Sequence, residues 1–118
     1  MIVLFLFAVC ACSCSKEGPG GKAAIQGMVM HHSAHIPGAT VYIKYGAKES
    51  PGTDITKYDL SVNANANASF EFADLKRGDY YLFAIGFDST TAQTVIGGVP
   101  VEISSKTETV TAHIPVTE

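Results

Sequence analysis

The stretch SFEFADLKRGDYYLFAIGFD, Ser69 to Asp88, sets two strands around one tight turn. Phe70 and Phe72 alternate with Glu71 and Ala73, the period of a strand with one buried face. The run breaks at Lys76-Arg77-Gly78, where glycine suits the backbone of a sharp turn. Tyr80, Leu82 and Ala84 then share one side of a long strand, and Tyr81, Phe83, Ile85 and Phe87 share the other. Both sides are apolar. One must meet the core; the second is either an exposed partner surface or a satellite core beneath a loop. Segments 47–56 and 89–98 are the loops available to cover it, and the covered state is the expectation. Left exposed, the candidate partner surface is Tyr81, Phe83, Ile85 and Phe87, with Tyr42 beside them. There Tyr81 and Tyr42 could stack on a sugar, although the absence of tryptophan weakens that reading.

The same period of two extends outward in both directions. Ile25, Gly27 and Val29 share a face in AIQGMVMHH, as do Val41, Ile43 and Tyr45 in TVYIKYG. Tyr58, Leu60, Val62 and Ala64 alternate with polar residues in KYDLSVNA, and VPVEI and TVTAHIPV close the chain. Pro37-Gly38 marks one turn, and Asn65 or Asn67 in NANAS can supply the left-handed residue of another. After residue 20 no segment has the length and periodicity of a globular helix. Seven short strands within 118 residues predict one all-β domain, an antiparallel sandwich with one buried face per sheet.

AIQGMVMHHSAHIPGATVYIK together with SFEFADLKRGDYYLFAIGFD resembles the carboxypeptidase-regulatory-like, or transthyretin (prealbumin)-like, domain of bacterial secreted proteins. The resemblance implies a single seven-stranded Greek-key sandwich, prealbumin-like or Ig-like, over residues 23–118. It implies no activity, because such modules serve many ends. Leu75-x-x-Gly78-x-Tyr80 resembles the tyrosine corner of sandwich folds, in which the phenol bonds back to the preceding backbone. The hydrolytic branch of the transthyretin-like group ends in Tyr-Arg-Gly-Ser, whereas this chain ends HIPVTE. Cna B-type sandwiches place an acid in the strand that here reads YYLFAIG, which has none. No H-E-x-x-H, G-x-S-x-G or P-loop occurs, so a non-enzymatic protein is expected.

The chain opens on MIVLFLFAV, too short to span a bilayer but suited to the apolar part of a signal peptide. Cys10, Cys12 and Cys14 follow and are the only cysteines. A disulfide between Cys12 and Cys14 would be strained, and C-x-C-x-C alone is a poor zinc donor set. An apolar run, small residues, a cysteine and then a polar stretch resembles the lipobox of bacterial lipoproteins. The resemblance makes 1–13 a signal peptide, Cys14 the lipidated residue with Cys12 as runner-up, and 14–22 the tether. Membrane attachment through lipid is the implied location, with Ser15 pointing to the outer membrane. The implied partner is an envelope protein or glycan. A net charge of −3 argues against nucleic acid.

HHSAH gathers His31, His32 and His35 near the first turn, where imidazoles could bind zinc, copper or nickel. On a strand His31 and His32 would point to opposite faces, and a solvated loop is the expectation for the group. No metal and no other cofactor is expected; a ligand- or metal-binding role for this hairpin is the alternative. His113 is expected to face outward, alone.

Overall fold

The computed structural model describes residues 17–118. Two sheets pack face to face. In the first, the long strand β1 (Pro19–His31) pairs antiparallel with β5 (Ser69–Leu75) and, at its far end, with the two-residue β2 (Ala34–His35). On the opposite side of β1 lie β8 (Thr109–Thr111) and β9 (Ile114–Pro115), both parallel to it. The second sheet runs β4 (Leu60–Asn63), β3 (Thr40–Tyr45), β6 (Gly78–Asp88), β7 (Gln93–Ile103), antiparallel throughout. Seven of these nine strands have three or more residues, and they correspond to the seven apolar runs. The parallel pairs make the first sheet mixed, where strand pattern alone led to an antiparallel expectation.

The core lies where the alternation placed it, except that Leu60 of β4, in phase with Val62 and Ala64, is 52% exposed. Ile25 and Val29 of β1, Val41 and Ile43 of β3, and Tyr80, Leu82 and Ala84 of β6 are all essentially inaccessible to water. Phe70 and Phe72 of β5 face them and meet edge to face, with centroids 6.1 Å apart. Burying side chains of this size contributes about 1.5–3 kcal/mol each, which is what holds the two sheets together.

Three local departures have identifiable causes. Strand β1 begins at Pro19, inside the segment expected to be a tether, and its pairing with β5 shifts register twice before Ile25. Gly18 fixes this start: its carbonyl accepts from Lys76 N at 2.9 Å, and its N–H donates to the Tyr80 hydroxyl at 2.9 Å. In the β4–β5 turn the left-handed residue is Ala68, at φ 64°, and not an asparagine. Asn65 instead caps the turn, its Oδ1 accepting from Asn67 N at 2.8 Å and Ser69 N at 3.0 Å.

The third departure is in β7. Segment 89–98, expected to be a loop, is a loop only at 89–92, and the rest pairs residue by residue with β6. Its glycines are close-approach positions within a strand. A Cβ at Gly97 would collide with the Pro115 carbonyl oxygen, and one at Gly98 would lie 2.6 Å from the Tyr81 ring. The space at Gly97 lets the C-terminal segment cross from one sheet to the other. β9 pairs with β1, and two residues later Thr117 exchanges two 2.8 Å hydrogen bonds with Ile96 of β7. That edge of the sandwich is closed.

Candidate functional site

Three surfaces carry chemistry, and each follows from the strand pattern that builds it. The first is the outer face of β6, where the candidate partner stripe lies. Tyr42 and Phe83 are cross-strand partners, with centroids 6.2 Å apart. Phe83 is only 4% exposed, because Tyr58 stacks on it at 5.6 Å and 18°. Tyr58 is itself held by a 2.7 Å hydrogen bond from its hydroxyl to the Gly52 carbonyl. The loop between β3 and β4 thus covers the centre of the stripe. Phe87 and Ile96 remain exposed beyond it, Ile85 and Tyr42 are half-buried, and the half-buried Tyr81 lies across Gly98.

The second surface is the outer face of the first sheet. Register sets Glu71 of β5, Gln26 of β1 and Thr111 of β8 in one row across three adjacent strands. All three are exposed, because Phe70 and Phe72, Ile25 and Gly27, and Val110 and Ala112 take the opposite faces. Met28 and Ser69 pair in the next row, beside His113. Adjacent strands are about 4.8 Å apart, so each row presents polar groups at that interval. The groove these rows share with Val62, Asn63 and Asn65 at the sandwich edge has a volume of about 510 Å³. His113 faces outward as its alternation requires, but it has a partner: its Nδ1 accepts from Met28 N at 3.2 Å. This groove has no signature in the sequence, since its members come from four strands and only the register assembles them.

The third surface is the end of the sandwich where β1 stops. His31 is not in a solvated loop; it is 3% exposed. Its Nδ1 lies 2.7 Å from Asp88 Oδ2, and its Nε2 lies 2.7 Å from Glu118 Oε1. Asp88, 4% exposed, is fixed through its other oxygen, which accepts from Thr90 Oγ1 at 2.6 Å and Thr90 N at 2.9 Å. The Thr90 hydroxyl first, then His31, pull the Asp88 carboxyl down to about 2. The hydrogen bond to Asp88, with Glu118 behind it, raises the His31 imidazole above its ordinary value against the opposing effect of burial. A carboxylate at each nitrogen favours the protonated form of the ring.

His32 does not point away from His31 as two neighbours on a strand would. The strand ends at His31 and His32 takes φ 60°, which turns its ring to within 4.4 Å of the His31 ring. His35 is exposed on β2 and is not among the ligand atoms that gather within 4.8 Å of one another in this cluster. Asp88 and Glu118, 30 residues apart in the chain, were invisible as partners of His31 from spacing alone. Cys12 and Cys14 lie outside the described residues.

No protein-family model matches the chain, and no curated protein matches it in sequence. Solved structures do match in fold. A "putative carbohydrate binding protein" of Pseudomonas aeruginosa superposes with a TM-score of 0.58 at 13% identity, over 89% of this chain and 93% of that one. BcpA, the major pilin subunit of Bacillus cereus, superposes with a TM-score of 0.55 at 14% identity, over 80% of this chain. An aspartate-to-alanine variant of that pilin gives 0.56 at 15%, over 83%. The chain spans about 30% of the pilin's length. At these identities the likeness establishes a β-sandwich of this architecture.

Proposed function

We propose that the protein is a lipid-anchored, non-enzymatic module of the bacterial envelope that binds a glycan on the outer face of its first sheet. The observation that carries the glycan reading is the row Glu71, Gln26, Thr111, with Met28, Ser69 and His113 beside it. Carboxylate, amide, hydroxyl and imidazole groups on rigid neighbouring strands suit the fixed, directional hydroxyls of a sugar. Met28 and Val62 give the apolar C–H faces of a sugar something to lie against. The fold likeness to a protein described as carbohydrate binding is in keeping with this reading.

The anchor reading rests on the lipobox resemblance around Cys14. One feature of the sandwich supports it. Lys22, Lys76, Arg77 and Lys106, half of the eight basic residues, gather around a cavity of about 640 Å³ at the end where β1 begins. A cationic end beside the attachment point suits the anionic headgroups of a bilayer.

The glycan reading is tested by calorimetry against a panel of envelope polysaccharides, with a Gln26→Ala/Glu71→Ala chain beside the parent. Loss of two polar contacts should weaken binding about tenfold or more. Both residues are exposed, so stability should stay within about 0.5 kcal/mol of the parent. A parent that binds no polysaccharide, or a double variant that binds as tightly as the parent, refutes the reading.

A further inference from the structure

The cluster at the end of β1 stands apart from the glycan groove and is built more elaborately than a structural ion pair requires. Asp88 is buried, both of its oxygens are engaged, and one of them holds His31 Nδ1. That contact fixes the ring and leaves Nε2 facing Glu118 at the surface. A carboxylate on one nitrogen of a histidine whose other nitrogen faces a second donor is the arrangement that orients metal-ligating histidines. His32 supplies the third donor. One ligand atom each from His31, His32 and Glu118 lie within 4.8 Å of one another.

We propose that His31, His32 and Glu118 bind a divalent zinc ion, with Asp88 as the positioning residue behind His31. Two imidazoles and a carboxylate are a donor set zinc favours, and three protein ligands leave a fourth position open to water. Donors around a tetrahedral zinc stand about 3.3 Å apart, given bond lengths near 2.0–2.1 Å. Reaching that spacing requires small rotations of His32 and Glu118, and both are exposed. His31, the buried ligand, stays in place.

Charge favours the same ion. With His31 bound through Nε2, the site holds neutral imidazoles and two carboxylates, a formal charge of −2 against +2 on the metal. On binding, the Nε2–H bond breaks and the metal–Nε2 bond forms. One proton passes to solvent, and no oxidation or reduction occurs. Without metal the two carboxylates contact the ring nitrogens directly, at 2.7 Å each.

The test uses the full chain carrying Cys10→Ser/Cys12→Ser/Cys14→Ser, so that thiols do not compete for metal. It is prepared without an affinity tag and stripped with a chelator. Calorimetry should show one zinc per chain, and cobalt should give the intense visible bands of a four-coordinate site. His32→Ala and Glu118→Gln each remove one exposed ligand; both should fold normally and lose zinc affinity by about 100-fold or more. Asp88→Asn should weaken zinc about 10–100-fold, as loss of an outer-shell partner does. The proposal is overturned if the chelator-stripped chain takes up no stoichiometric zinc. It is equally overturned if His32→Ala and Glu118→Gln chains bind zinc as tightly as the parent, since the cluster would then be an ion triad and nothing more.

Discussion

The phenol of Tyr80 is held from two directions. Its hydroxyl donates to the Lys76 carbonyl at 2.5 Å and accepts from Gly18 N at 2.9 Å, so one oxygen ties the β5–β6 turn to the start of β1. Burial pushes the phenol above its ordinary value, which keeps the proton in place for that donation. Tyr80→Phe removes both bonds but preserves the ring and its edge-on contact with Tyr45. Its cost should be about 1–2 kcal/mol, read from denaturant midpoints. Leu82→Ala, two residues along the same face, empties a fully buried position and should cost about 2–5 kcal/mol. If neither substitution destabilised the domain, the inward face of β6 would be wrong. The first of these bonds was legible in the sequence because Leu75, Gly78 and Tyr80 stand at fixed local spacing. The second was not, since Gly18 lies 62 residues away, in the segment expected to be a tether.

At the scale of the element, β6 poses the question of its second apolar face, and the β3–β4 loop answers it. Phe83 is covered because Tyr58 is pinned to Gly52 and stacks on it. Phe83→Asp should therefore destabilise the domain by more than about 3 kcal/mol, since it deletes a packed ring and buries an unpaired charge. Phe87→Asp, on the same face but 56% exposed, should leave thermal stability nearly unchanged. Equal melting temperatures for the two variants would show that the loop does not cover the stripe. Strand identity and face were readable because a period of two is local. What covers a face was not, because Tyr58 alternated in phase with Leu60 and Val62 and gave no sign of leaving that strand. Segment 89–98 reads as a loop in the same way, and only the approach of Pro115 to Gly97 and of Tyr81 to Gly98 shows why those glycines stand in a strand. The His31 cluster is the strongest case, since its two carboxylates come from the far end of β6 and from beyond β9.

For the whole molecule, the way the chain enters the sandwich sets where an anchored domain would ride. Glu17 accepts from Asp79 N at 3.2 Å, and Gly18 is bonded on both sides, so the folded unit begins within three residues of Cys14. Three extended residues reach about 10 Å, which would hold the cationic end against the headgroups. Cys14→Ser should release the protein to the soluble envelope fraction with its signal uncut, as followed by fractionation and mass. If Cys12→Ser does this and Cys14→Ser does not, the attachment site lies two residues earlier. The parallel course of β1 with β8 and β9 has a mechanical consequence for a chain pulled at its two ends. Tension between the N-terminal side of β1 and the C-terminal side of β9 acts along these strands in opposite senses. The bonds Ala24 N to Glu108 O, Ala112 N to Gln26 O and Val116 N to Met30 O are then loaded in shear and share the force. They must rupture together, where the same bonds in a hairpin pulled at its ends would unzip one at a time; a tethered module so built withstands a tug that would peel a hairpin open.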